Sequence, residues 1–153
     1  MNTITIKPIN IIGIAVRTTN ENGQSAADIP LLWNRFFTEN IAARIPGKIS
    51  EEVYSIYTDY ELDYTKPYTT IIGCRVEQLT DIPEGLIGKV IGGGSYTTFV
   101  AKGKLSDQIV FTEWQKIWNT DLPRAYTSDF EIYGAGAQNP DQAEVEIFVG
   151  VKE

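Results

Sequence analysis

One order of elements occurs twice in this chain, and no other feature restricts the fold as strongly. A β-branched strand, a helix bearing tryptophan and a hairpin of alternating residues run from Thr3 to Leu79, and again from Lys89 to Lys152. In the first half, Thr3 to Val16 carries Ile4, Ile6, Ile9, Ile11, Ile12, Ile14 and Val16, with Pro8 marking a bend or bulge. A helix is expected from Asp28, a candidate N-cap, with Pro30 in its first turn. Its apolar face holds Ile29, Leu32, Trp33, Phe36, Phe37 and Ile41. Val53 to Glu61 and Thr69 to Leu79 read as strands linked across Pro67. In the second half, Lys89 to Lys102 reads as a strand with a bulge at Gly92-Gly93-Gly94. A helix capped by Ser106 puts Val110, Trp114, Ile117 and Trp118 on one face and ends before Pro123. The closing hairpin follows.

The doubled β-α-β-β order reads as an internal duplication. It predicts an α+β fold over residues 1–153, with halves of roughly 1–80 and 81–153. The expected arrangement is an antiparallel sheet with both helices packed on one side, pseudo-twofold symmetry and a cleft where the halves meet.

The hairpin from Asp129 to Lys152 bears on function. Strand side chains alternate between faces. Asp129, Glu131 and Tyr133 share one face of the first run, and Glu144, Glu146 and Phe148 share one face of the second. If the spacer is centred on Gln138-Asn139, Glu131 and Glu146 stand opposite each other. Like charges so placed destabilise by ~0.2–1 kcal/mol unless a cation or proton relieves them. Such a face either lies in solvent or lines a pocket for something cationic and apolar.

Composition removes several function classes. The chain has no histidine, which excludes Ser-His and Cys-His nucleophile pairs and the usual zinc sites. Cys74 is the single cysteine, so no internal disulfide or cysteine metal cluster can form, and its apolar strand suggests a small buried hydrophobe. The net charge of −7 argues against a nucleic-acid surface. No run reaches membrane-spanning length and the start lacks a signal-peptide pattern, so a cytoplasmic location is expected. The glycine triplet is not followed by Lys-Ser/Thr and does not fit a phosphate loop. No cofactor or metal is expected.

Five stretches then carry a resemblance. They are Ile82-Pro-Glu-Gly-Leu86, Gly94-Ser-Tyr-Thr-Thr-Phe-Val-Ala-Lys-Gly103, Trp114-Gln-Lys-Ile-Trp118, Phe130-Glu-Ile-Tyr133 and Glu146-Ile-Phe-Val-Gly-Val-Lys152. Together they resemble the effector-binding domain of AraC-type and multidrug-responsive regulators, also called GyrI-like, across nearly the whole chain. The sequence departs from the pattern at Gly150, where the family usually has proline. Nothing in it resembles a DNA-binding helix-turn-helix, so the chain reads as a stand-alone sensor domain.

The resemblance implies a pocket between the halves, lined by aromatic side chains and holding a buried glutamate that meets lipophilic cations. By position that glutamate is Glu146, with Glu131 the second candidate. Tyr57, Tyr60, Trp114, Tyr133 and Phe148 complete the expected ligand-binding set; Trp33, Phe36 and Phe37 are assigned to the core. The expected partners are small lipophilic cationic or aromatic molecules, without nucleic acid or membrane, with a second copy or a separate regulator as further candidates. Two alternatives stand beside binding. One is a hydrolase of strained-ring toxins using Glu146 as general acid or base. The other is sequestration of a protein partner through the acidic face.

Overall fold

The computed structural model describes residues 2–153. Its strands are β1 (Asn2–Ile6), β2 (Ile9–Thr18), β3 (Val53–Thr58), β4 (Tyr68–Val76), β5 (Ile87–Ile91), β6 (Gly94–Gly103), β7 (Arg124–Tyr133) and β8 (Ala143–Val151). Helix α1 spans Gln24–Thr38, α2 spans Ile41–Arg44 and α3 spans Ile109–Trp118. All eight strands join one antiparallel sheet in the order β1-β6-β8-β7-β3-β4-β2-β5. No helix among the described residues is long and apolar enough to cross a membrane.

The strand order displays the duplication. Exchanging each strand for its counterpart in the other half (β1 for β5, β2 for β6, β3 for β7, β4 for β8) turns the order into its own reverse. The repeated unit gains a strand over the expected one. Pro8 does not bend a single strand but separates β1 from β2, since proline cannot donate to a ladder. Gly92-Gly93 likewise separates β5 from β6. A Cβ on Gly93 would lie 2.7 Å from the Ile6 carbonyl oxygen, so only glycine lets these two links cross. The halves exchange their first strands: β1 pairs with β6, and β5 with β2.

Those short links also force the sheet to coil. Ile6 and Ile9 lie towards opposite ends of the strand order, yet three residues span at most roughly 11 Å. The face without helices therefore closes on itself. Ile9, Ile11, Tyr54, Ile56, Ile71, Tyr96, Phe130 and Phe148 form a core there. The other face carries both helices, as the duplication predicts. Leu32 and Phe36 of α1 cover Ile12, Ile14, Ile72 and Cys74, and Trp114 and Ile117 of α3 cover Val145, Ile147 and Val149. Where both faces are buried, as in β2 and β4, the strand reads as a near-continuous apolar run rather than a clean alternation. Phe37, expected in the core, is 66% exposed.

The helix starts differ from expectation. Gly23 in the left-handed region precedes α1 at Gln24, four residues before Asp28. Asp28 instead accepts hydrogen bonds from Thr18 Oγ1 and Gln24 Nε2, tying the helix to the end of β2. Ser106 lies in a 3-10 turn, and α3 starts at Ile109 after Gln108.

Candidate ligand site

The two helices leave a gap over the middle of the sheet, and Glu131 of β7 lies beneath it. Ser55-Ile56-Tyr57 in β3 corresponds to Glu131-Ile132-Tyr133 in β7, and Ser55 pairs with Glu131 across the ladder. The internal twofold axis therefore passes between these two residues. Glu131 is 1% exposed. Its Oε2 accepts from Trp114 Nε1 at 2.6 Å and from the Tyr57 hydroxyl at 2.7 Å. Its Oε1 accepts from the Tyr133 hydroxyl at 2.7 Å. Burial pushes the Glu131 carboxyl above its usual range, and these three donors oppose the shift. The tyrosine hydroxyls are pushed well up in turn, by burial and by the neighbouring carboxylate, so they act as donors.

A second carboxylate lies one strand alternation away. Asp129 is fully buried. Its Oδ2 receives Arg124 Nη2 at 2.8 Å and the Tyr60 hydroxyl, and its Oδ1 receives the Gly150 amide at 2.8 Å. Gly150 is the position where the resembled family has proline. Here its N–H serves a buried carboxylate, and a Cβ would lie 2.7 Å from the Ser128 carbonyl oxygen. Burial pushes Asp129 upward, opposed first by the Arg124 charge. Burial is the largest influence on Arg124 and disfavours its charge, but Asp129, Tyr60 and Tyr126 together outweigh it and the guanidinium stays protonated.

A cavity of about 110 Å³ opens above Tyr57 and Trp114. Ile29 of α1, Phe111 and Trp118 of α3, Tyr60 and Tyr64 of the β3–β4 link, Tyr68 and Arg124 complete most of its wall. Tyr64 stacks on Trp118, with ring centroids 5.8 Å apart and planes at 12°. Arg124 lies over the Tyr126 ring at 4.4 Å and is 5.8 Å from that of Trp114. On the Tyr133 side, a wider recess of about 810 Å³ is walled by Trp33, Phe37 and Leu105, with Glu51 and Glu52 beside it. The internal axis relates the two openings. The smaller one has two of the three Glu131 donors in its wall, so it is the better-formed site.

Tyr57, Tyr60, Trp114, Tyr133 and Glu131, all named from the sequence, converge here. Glu146 and Phe148 do not. The observed ladder pairs Glu131 with Ile147 and Ile132 with Glu146. It is offset by one residue from a spacer centred on Gln138-Asn139, and a one-residue slip transfers a strand's side chains to the other face. Glu146 is thus exposed on the far side of the sheet. Phe148 stacks on Phe130 at 4.8 Å within the coiled core. Sequence reasoning missed Asp129, Arg124 and Tyr64 as site residues. Asp129 shares a face with Glu131, which was the available signal. Arg124 had none, because its place depends on an irregularity in the β7–β8 pairing between Arg124 and Asp129.

The coiled eight-stranded sheet with two helices and a cleft over its centre is the GyrI-like architecture, the class of effector-binding domains. The profile of the "integron-associated effector binding protein" family matches residues 3–151, and the chain belongs to that family. It is similar to the integron cassette protein VCH_CASS2 from the mobile metagenome of Vibrio cholerae, with 31% identity and a TM-score of 0.77 over 99% of this chain and 95% of that one. The "putative transcriptional regulator protein YobU" of Bacillus subtilis (strain 168) is 27% identical over 146 residues, covering 92% of this chain and 91% of YobU. The fold also matches SAV2435, solved bound to tetraphenylphosphonium, at 17% identity and a TM-score of 0.78, over 99% of this chain and 93% of that one.

Proposed function

We propose that this protein binds lipophilic, cationic aromatic small molecules in the cavity above Glu131, as a sensing or sequestering domain. The observation that carries this reading is a buried carboxylate held by three aromatic donors, two of which form the cavity wall. A cation entering there meets the Tyr57 and Trp114 rings, with the buried Glu131 carboxylate directly behind them. The tetraphenylphosphonium bound by the structurally similar SAV2435 is a ligand of this chemical type. A hydrolase reading is less well supported. Three donors already occupy the Glu131 oxygens, which suits holding a charge more than taking a proton from water.

The test is calorimetric titration with tetraphenylphosphonium. Glu131→Gln is expected to weaken binding roughly 10–100-fold, the loss of one buried charge interaction. Glu146→Gln is expected to leave it unchanged. Equal binding by wild type and Glu131→Gln would sink the reading.

A further inference from the structure

Arg124 is 7% exposed, lines the cavity and uses one of its nitrogens on Asp129. Its Nε and Nη1 are buried and find no acceptor among the described residues. Buried donors are almost always paired, and those of a charged group are the most unfavourable to leave open. The guanidinium is also held in place, by Asp129 at 2.8 Å and by the face of Tyr126 at 4.4 Å. A fixed, charged donor group beside an aromatic cavity is a recognition element for an acceptor atom.

We propose that Arg124 forms an acceptor-binding subsite, so that the cavity selects monocations that also carry a neutral hydrogen-bond acceptor, a carbonyl oxygen being the type. This rests on the binding reading above and adds to it. The charge count excludes an anion as the acceptor. Asp129 already matches Arg124, and Glu131 adds one further negative charge, which the ligand's cation balances. A carboxylate or phosphate on the ligand would sit beside Asp129 with no remaining partner. A carbonyl takes an Arg124 N–H without adding charge. The ligand would then be read at two points: its cation near Tyr57 and Trp114 over Glu131, and its acceptor at Arg124.

Two quaternary probes of matched shape test this, (4-acetylphenyl)trimethylammonium and (4-isopropylphenyl)trimethylammonium, titrated calorimetrically with tetraphenylphosphonium as reference. In wild type the acetyl probe is expected to bind about tenfold more tightly, the effect of one hydrogen bond to a charged donor. In Arg124→Met/Asp129→Asn, which removes both buried charges together, the ratio is expected to fall to about one. Should that variant not fold, Arg124→Lys, which keeps Asp129 paired but lacks the planar guanidinium, is read for the same ratio. A ratio near one in wild type, with both probes bound, means water alone serves Arg124; it overturns the subsite and leaves the binding function standing. A ratio that survives in the variant also overturns it. Binding of tetraphenylphosphonium alone has the same meaning, whereas failure of all three compounds removes the proposed function and this subsite with it.

Discussion

Ser55 and Glu131 face each other across the β3–β7 ladder, at the point where the internal twofold axis crosses the sheet. The duplication places equivalent positions side by side there, and only one of them is acidic. Both are buried. Ser55→Asp would set a second carboxylate against the first, where neither can reach water and the donors are already taken. The expected loss is about 3–5 kcal/mol at pH 7, the range for an uncompensated buried charge. Urea unfolding at pH 7 and pH 5 checks it. The loss should shrink at pH 5, as one of the pair takes up a proton; an equal loss at both would point to packing instead.

Glu131 makes binding depend on pH in a defined direction. Its carboxyl is raised in the folded protein above its usual 4.5 because burial outweighs the three donors. The contribution to stability is therefore fully present below pH 4.5 and is lost as pH rises through the folded value. The protein carries an ionisation penalty above that value, and a bound cation relieves it. Affinity for tetraphenylphosphonium is expected to rise as pH rises through the folded value, with proton release on binding. Calorimetry in buffers of different ionisation enthalpy measures that release. Glu131→Gln should abolish both effects.

Asp129 tests the buried ion pair. Asp129→Asn leaves Arg124 charged and buried without its partner, and an expected loss of ~3–5 kcal/mol follows. Arg124→Met/Asp129→Asn removes both charges and should be the milder change. The coupling shows directly in a double-mutant cycle of chemical unfolding. If the double variant is as unstable as the sum of the singles, the pair is not what holds this corner. Gly150→Pro should resemble Asp129→Asn in direction, because it deletes the amide that Asp129 accepts from.

Much of this architecture was legible in the residues. Periodicity in Ile9–Val16 and Val145–Val149 marks strands, and the spacing of Trp114, Ile117 and Trp118 marks a helix with a buried stripe. The two tryptophan-bearing helices and paired hairpins reveal the repeat. The exchange of β1 and β5 was not legible, because strand partners so far apart in sequence leave no local signal; Asn2 pairs with Thr98, and Gly13 with Ile87. The identity of the buried glutamate was lost for a sharper reason. The Gly134–Gln142 loop contains a 3-10 turn at Ala135–Ala137, and the ladder beyond it is shifted by one residue. That shift sends Glu146 to the opposite face and leaves Glu131 under the helices. Alternation states which residues share a face along one strand, whereas the turn decides how two strands combine their faces.

The cavity is smaller than the ligands proposed for it. About 110 Å³ falls short of the roughly 300–1,000 Å³ of pockets that enclose drug-sized molecules. A bulky cation must therefore displace part of the wall. The part with the fewest backbone ties is the β3–β4 link, where Tyr64 bridges by stacking on Trp118 at 5.8 Å and on Tyr126 at 6.5 Å. Backbone bonds within that link are confined to Glu61 N–H with the Pro67 carbonyl and Lys66 N–H with the Asp63 carbonyl. Side chains of α3, by contrast, are anchored in the core through Trp114 and Ile117. Opening then consists of breaking the Tyr64 stack and the bond that Asn20 Nδ2 donates to the Tyr64 carbonyl at 2.9 Å. Tyr64→Ala is expected to accelerate association of tetraphenylphosphonium several-fold in stopped-flow measurements of Trp114 and Trp118 emission. The smaller trimethylammonium probes should associate at an unchanged rate. Dissociation should quicken as well, since the bound ligand loses one ring contact worth ~0.5–1 kcal/mol. If the bulky and small cations respond alike, the Tyr64–Trp118 stack does not gate entry.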